Sequence, residues 1–265
     1  MKGKTDTDTN TINHNETVID RFTRQAKEFF GKSHYSNQYG LNLMLKLSNP
    51  AKEDTVLDVA CGPGIIACEY AKIVSHVTGI DLTPSLIEQA KSIQKEKGLD
   101  NIEWKVGDVS SLPFNDESFC IVMTRASFHH ILDRKRVLEE MIRVCTIGGK
   151  ILVVEVTPDN DKKEAFNYVE KLREPSYTNS WSLEELTKMM KELGLVNIRS
   201  ERFDLEMELE KTFQASHPKS ENKDKIIQLF KQDLYDNNLG MKSHLTDGKI
   251  HFYLPMSAII GFKVK

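Results

Sequence analysis

A glycine-rich turn follows a short apolar segment, and residues of these types at this spacing suit a nucleotide-like ligand. Residues 55–64 read TVLDVACGPG, so we expect a strand that breaks at Gly62 and Gly64 before a helix starts at Ile65. Glycine accepts a positive φ and lets a ligand approach the backbone closely. The N-terminus of the following helix offers free N–H groups to an anionic or nucleotide-like ligand. The stretch therefore predicts a binding site.

An acidic residue ends the next apolar segment and can bind a ribose. Asp81 follows a predicted strand over residues 77–80, and its carboxylate can accept hydrogen bonds from two vicinal hydroxyls. Residues 62–67, GPGIIA, also fit the G-x-G-x-x-A pattern of dinucleotide sites, with Asp81 near the spacing expected for the ribose-binding acid. An NAD(P)-dependent oxidoreductase is therefore one interpretation.

A wider set of residues favours another cofactor. Residues 58–64 (DVACGPG), 79–82 (GIDL) and 107–109 (GDV) together resemble the Rossmann-like methyltransferases that use S-adenosylmethionine (SAM). Ile65 stands where the family's common form has a third glycine. The resemblance implies that SAM is the cofactor and that Asp108 binds the adenine amino group. The cofactor-binding residues it implies are Asp58, Ala60, Gly62, Gly64, Asp81, Leu82, Asp108, Val109 and Arg125.

The acceptor side of the site is expected after the fourth predicted strand. Residues 112–119, LPFNDESF, resemble the small-molecule branch that includes ubiquinone and menaquinone C-methyltransferases. The Asn/Asp-Pro-Pro-aromatic turn of nucleobase and glutamine N-methyltransferases is absent there. His129 and His130 stand in its place and can accept a proton or orient the acceptor. Tyr35, in a segment that caps the cofactor in this family, is a further catalytic candidate.

Strands and helices alternate along the chain, which predicts parallel strands joined by right-handed crossovers. We expect an α/β fold: a Rossmann-like, seven-stranded mixed sheet, its last strand antiparallel, with helices on both faces and a helical lid. The sixth strand is expected over 196–207 and the last over 257–265. Residues 1–16 are predicted to be a disordered tail and 17–265 a single methyltransferase domain. Within it, 17–48 form an N-terminal cap and 208–248 a lid or insertion.

Composition and charge bear on the partners, the metal content and the location of the protein. The chain has 265 residues and a formal net charge of −3, which gives no reason to expect a nucleic-acid partner. No apolar run is long enough to span a bilayer. The four cysteines lack metal-ligand spacing, so we expect no metal site and favour a cytoplasmic location.

The predicted function is therefore an enzyme that transfers a methyl group from SAM to a small-molecule acceptor by in-line attack, as a monomer or homodimer. A protein that binds SAM as a regulator without catalysis is the other alternative. The sequence leaves open which atom type of the acceptor is methylated.

Overall fold

The computed structural model describes residues 6–28 and 38–265. The helices of these ranges are α1 (Asp6–Glu28), α2 (Gln38–Ser48), α3 (Ile65–Ala71), α4 (Pro84–Glu96), α5 (Arg134–Val144), α6 (Lys163–Arg173), α7 (Leu183–Glu192), α8 (Leu209–Ser216) and α9 (Ser220–Asp236). The strands are β1 (Thr55–Val59), β2 (His76–Asp81), β3 (Ile102–Val106), β4 (Phe119–Arg125), β5 (Cys145–Val156), β6 (Val196–Glu208), β7 (His244–Thr246) and β8 (Lys249–Phe262).

The strands form a single mixed sheet in the order β3-β2-β1-β4-β5-β8-β6, and the short β7 pairs with β8. The five strands from β3 to β5 are parallel, whereas β8 runs antiparallel to both β5 and β6. This confirms the predicted α/β class, with β7 as a small addition to the seven expected strands. The carboxyl ends of β1, β2 and β4 consequently meet at one edge of the sheet.

Alternating side chains in the central strands build a core on each face of the sheet. Val56 and Ile121 pack into the cluster on one face, while Leu57 and Val122 pack into the cluster on the other. All four are fully buried. Parallel strands covered on both faces must be apolar on both, which explains the continuous apolar runs in the sequence.

Helix ends follow local sequence signals. Pro84 occupies the first turn of α4, after Thr83 at the N-cap position. At α7 the Ser182 side chain accepts from the Glu185 N–H, and the Glu185 carboxylate accepts from the Ser182 N–H. This reciprocal capping box satisfies two backbone donors that the helix itself leaves unpaired.

Two expected boundaries were wrong. Residues from Asp6 onward belong to α1, where we predicted a disordered tail over 1–16. This polar segment is anchored by contacts with the domain, since the His14 ring donates to the His130 carbonyl at 2.7 Å. The composition of the segment alone cannot reveal such a contact. The last strand begins at Lys249 rather than 257 and continues through Pro255, which lies opposite Asp204 on β6.

Across the part of the chain that the structure describes, no helix combines the length and the apolar character needed to cross a membrane.

Candidate functional site

A cavity of about 840 Å³ lies at the sheet edge where β1, β2 and β4 end. Ligands of open α/β sheets bind at the carboxyl ends of the strands, and this volume lies in the range of cofactor and substrate sites. The cavity is lined by eight of the nine predicted cofactor residues: Asp58, Ala60, Gly62, Asp81, Leu82, Asp108, Val109 and Arg125. Helix α1 covers it with side chains that include Asn15, Val18, Arg21 and Phe22.

The two glycines of the turn have different surroundings. Gly62 has φ +53°, and a Cβ built on it would meet nothing within 4 Å. Gly64 has φ +74°, and its Cβ would lie 2.3 Å from the Trp104 ring and 2.9 Å from the Ala90 Cβ. Gly62 thus keeps the backbone open toward the cavity. Gly64, which is not among the lining residues, allows α3 to pack closely on β3 and α4.

The carboxylate of Asp81 is held in place by the turn that it faces. Its Oδ2 accepts from the Gly62 N–H and its Oδ1 from the Thr83 N–H, both at 2.8 Å. Burial raises the pKa of this carboxyl, and the two backbone donors oppose that effect. Each oxygen retains a lone pair, so the group can still accept from ribose hydroxyls.

Asp58 is a buried acid with an unsatisfied oxygen. It is 3% exposed, and its Oδ2 finds no hydrogen-bond partner among the residues the structure describes. Burial, and next the neighbouring Asp81, raise its pKa to about 7. A buried polar atom without a partner is costly, so this position favours a ligand that brings a donor or a positive charge. The ammonium and sulfonium groups of SAM fit this requirement.

Two alanines at the strand ends adopt left-handed backbone conformations. Ala60 has φ +56° directly after β1, and Ala126 has φ +50° directly after β4. Both line the cavity. Strained non-glycine backbone of this kind concentrates at functional sites, where it directs backbone groups toward a ligand.

The predicted adenine-binding residues lie at the outer part of the cavity. Asp108 is exposed, and its Oδ1 accepts from the Ser110 N–H at 2.8 Å. Its Oδ2 accepts from the Asn15 side chain of α1 at 3.3 Å. Val109 is 9% exposed and offers an apolar surface beside it. A carboxylate and an apolar wall together suit an aromatic base with an exocyclic amine.

His129 is paired with a buried carboxylate. Its Nδ1 lies 2.6 Å from Oε1 of Glu155, whose Oε2 accepts from the N–H groups of Ser127 and Phe128 at 3.0 and 2.7 Å. Burial raises the pKa of the Glu155 carboxyl, but His129 and the backbone donors outweigh it, so the pKa lies below its ordinary value. An ionised Glu155 accepts from the imidazole at Nδ1 and orients the ring. His129 also lines the cavity, so it can act as a base there.

His130 has a different environment. Its Nδ1 lies 3.0 Å from the Ser176 hydroxyl, and its ring packs edge-on against Phe22 of α1. Burial, and next the neighbouring His129, hold its pKa well below the ordinary value. His130 is therefore neutral at physiological pH and suited to shaping the site. Tyr35, the third predicted catalytic residue, lies outside the described residues.

Several cavity residues were not anticipated. Arg21 and Glu174 form a buried ion pair, with the Arg21 Nε 2.6 Å from Glu174 Oε2. Tyr177 lines the same region, 5.7 Å from the His129 ring. These residues come from segments far apart in sequence. Glu155 is not among the lining residues and reaches the site through His129. Its place at the end of an apolar strand is the sequence signal that also singled out Asp81.

Comparison with known proteins agrees with this geometry. The model of the methyltransferase domain family matches residues 50–232. The uncharacterized methyltransferase YcgJ of Bacillus subtilis is 32% identical over 170 residues, which cover 63% of this chain and 67% of that protein. The crystal structure of YcgJ superposes with a TM-score of 0.80 at 27% identity and covers 86% of this chain and all of the YcgJ chain.

A demethylmenaquinone methyltransferase of Thermotoga maritima is 37% identical over 117 residues, 43% of this chain and 48% of that protein. The chain thus spans about half the length of this relative. The fold and the cavity at the strand ends define the class of Rossmann-like methyltransferases. The chain belongs to the methyltransferase domain family and is a methyltransferase.

Proposed function

We propose that the chain transfers a methyl group from SAM to a small apolar acceptor, with His129 as the base. The observation that carries the proposal is that the cofactor residues and His129 line the same cavity, while Glu155 is paired with the His129 ring. Bound SAM supplies an electrophilic methyl carbon on a sulfonium, which an acceptor atom attacks opposite to sulfur. Asp81 would hold the ribose of SAM, and Asp58 would lie beside its positively charged ammonium or sulfonium group. Asp108 and Val109 would bind the adenine.

The apolar part of the cavity lining supports an apolar acceptor. Side chains from β6 and β8 contribute four large apolar groups to the cavity: Leu205, Met207, Leu254 and Met256. Tyr177 also lines the cavity, with its ring 5.7 Å from the His129 ring. A ring-sized acceptor can be buried against these groups while its ionisable O–H, N–H or activated C–H faces His129. The Thermotoga relative is named for a quinone-type acceptor, which is consistent with this class.

The chain's residues contribute mainly by positioning. Holding donor and acceptor in near-attack geometry and excluding water can supply several kcal/mol, up to ~10 in favourable cases. His129 would accept the proton that the acceptor loses, with Glu155 stabilising the resulting imidazolium. Base catalysis of this type contributes about 10²–10⁴-fold to a rate.

We further propose that residues 17–48 cap the cofactor and that 208–248 form a substrate lid. Arg21 and Phe22 of α1 and Ala215 of α8 line the cavity, which supports both roles. The free cysteines Cys61, Cys68, Cys120 and Cys145 fit a cytoplasmic protein. The protein would act as a monomer or a homodimer.

Calorimetric titration with S-adenosylhomocysteine, and separately with NADH, tests the cofactor. We expect micromolar binding of S-adenosylhomocysteine and none of NADH. The Asp81→Asn variant should lose most of the affinity. Binding of NADH alone would contradict the proposal.

Turnover of a panel of small phenols, quinols and aromatic amines with methyl-labelled SAM then tests the acceptor. Label should enter at least one apolar ring compound and should depend on His129. Tight cofactor binding without transfer to any acceptor, small or large, would instead favour a regulatory SAM-binding protein.

A further inference from the structure

Two imidazoles and a carboxylate meet on the sheet, and none of the three residues is among those that line the cavity. They are Glu206 of β6, His244 of β7 and His251 of β8. The His244 Nε2 and the His251 Nδ1 each lie 3.3 Å from the same oxygen, Oε1 of Glu206. One ligand atom from each of the three residues lies within 4.8 Å of the others. We propose that this His–His–Glu cluster binds a divalent transition-metal ion, with Zn²⁺ as the best match.

Strand pairing holds the three side chains in place. His244 lies directly opposite His251 in the β7–β8 ladder, and Glu206 lies opposite Tyr253 on the other side of β8. Residues opposite or diagonal on the same face of an antiparallel pair are near enough for their side chains to interact. The His244 ring also stacks on the Tyr253 ring at 5.2 Å. The ligands therefore need little rearrangement to bind an ion.

The spacing and the donor set both match zinc. Zn–N and Zn–O bonds of about 2.0–2.2 Å in a tetrahedron separate neighbouring ligand atoms by about 3.3–3.6 Å. The two measured separations from Glu206 Oε1 to the imidazole nitrogens are 3.3 Å each. Imidazole nitrogens favour Zn²⁺, Cu²⁺ or Ni²⁺ over Mg²⁺ or Ca²⁺. Three protein ligands leave a fourth position for water.

The neighbouring charges distinguish Glu206 from the other acids on the same face of β6. Asp204 binds the Lys242 ammonium at 2.5 Å. Glu208 binds two ammonium groups, those of Lys211 and Lys249. The partners of Glu206 are the two imidazoles. Its negative charge is therefore directed at a pair of metal-binding side chains instead of a lysine.

The cluster is accessible from solvent, since its side chains are 51%, 34% and 19% exposed for Glu206, His244 and His251. It is separate from the cavity, because Leu205 and Met207, which flank Glu206 along β6, line the cavity instead. Successive side chains of a strand point to opposite faces. A bound ion would join β6, β7 and β8 and so fix the strands that flank the insertion.

Calorimetric titration of the metal-free full-length protein with ZnCl₂, after removal of any affinity tag, tests the proposal. We expect one ion per chain with micromolar or tighter affinity. His244→Ala and Glu206→Gln should each weaken the affinity at least tenfold. Asp204→Asn removes a neighbouring carboxylate outside the cluster and is the matched control, expected to bind as the parent chain does.

A second measurement keeps the test independent of folding defects. Substitution of Co²⁺ should give visible d–d absorption typical of a nitrogen- and oxygen-liganded ion, and this signal should disappear in the His244→Ala and His251→Ala variants. Circular dichroism of these variants should match that of the parent. The proposal is overturned if the parent chain binds no ion, or if the variants bind Zn²⁺ as tightly as the parent does.

Discussion

Asp58 combines burial, a raised pKa and an unsatisfied oxygen in one residue. With a pKa of about 7, part of the Asp58 population is protonated at neutral pH in the free protein. A cationic ligand beside it favours the ionised form, so binding should displace the remaining proton. Affinity for such a ligand should therefore rise as the pH increases through about 7.

Proton release on binding gives a direct measurement of this coupling. Titration with SAM at pH 7, repeated in buffers of different ionisation enthalpy, should show release of a fraction of a proton that is absent in Asp58→Asn. Equal release in both proteins would mean that another group carries the proton.

The two adjacent histidines should respond differently to substitution. His129→Gln removes the group that faces the cavity and binds Glu155, so we expect kcat to fall about 10²–10⁴-fold. Glu155→Gln should lower kcat less, because the imidazole remains in the site but loses the carboxylate that orients it. His130→Gln should act mainly on KM. Steady-state kinetics across pH distinguish these cases, and an unchanged kcat in His129→Gln would exclude the proposed base.

At the scale of secondary-structure elements, the turn from β1 to α3 depends on two glycines for different reasons. Gly64→Ala combines a left-handed conformation with a clash against Trp104, and we expect a loss of about 3 kcal/mol in the free energy of unfolding. Gly62→Ala introduces only the conformational cost, about 1 kcal/mol.

Thermal unfolding and ligand titration separate these effects. Gly64→Ala should lower Tm more than Gly62→Ala does, whereas Gly62→Ala should weaken S-adenosylhomocysteine binding because its methyl group lies at the cavity. The assignment of roles would be wrong if the order of the Tm shifts were reversed.

The sequence predicted the elements whose signals are local. The turn at Gly62 and the strand ending at Asp81 each depend on neighbouring residues, and the structure contains both. The pairing of His129 with Glu155 joins residues 26 positions apart, and only the parallel alignment of β4 with β5 brings them together.

Other features could not be inferred either, because they also depend on contacts between segments that are far apart in the sequence. The packing of Gly64 on Trp104 depends on the approach of α3 to β3, and the helical start of α1 depends on contacts with the distant His130. The start of β8 was misplaced because Pro255 lacks an N–H and is unusual inside a strand.

At the scale of the whole molecule, a buried ion pair is among the contacts that attach α1 to the domain over the cavity. Arg21 and Glu174 are 8% and 4% exposed, and breaking a buried pair by removing one partner costs about 3–5 kcal/mol. Arg21→Met should therefore loosen the attachment of α1 to the domain and weaken cofactor binding. Arg24→Met, on the same helix, breaks an exposed pair with Asp20 and should change little.

Limited proteolysis measures the attachment of α1. Cleavage within α1 should be faster in Arg21→Met than in the parent chain and in Arg24→Met, and S-adenosylhomocysteine should slow it in the parent. Equal cleavage rates in the two variants would show that the buried pair does not anchor the helix.

The position of β8 has a consequence for biosynthesis. This strand lies between β5 and β6, although the chain reaches it only after both have been made. During translation β5 and β6 are left without the neighbour that joins them, and each presents unpaired backbone groups. The edges of β5 and β6 must stay apart, or a chaperone must cover them, until residues 249–262 emerge from the ribosome. Ribosomal stalling just before this segment would therefore leave an aggregation-prone intermediate.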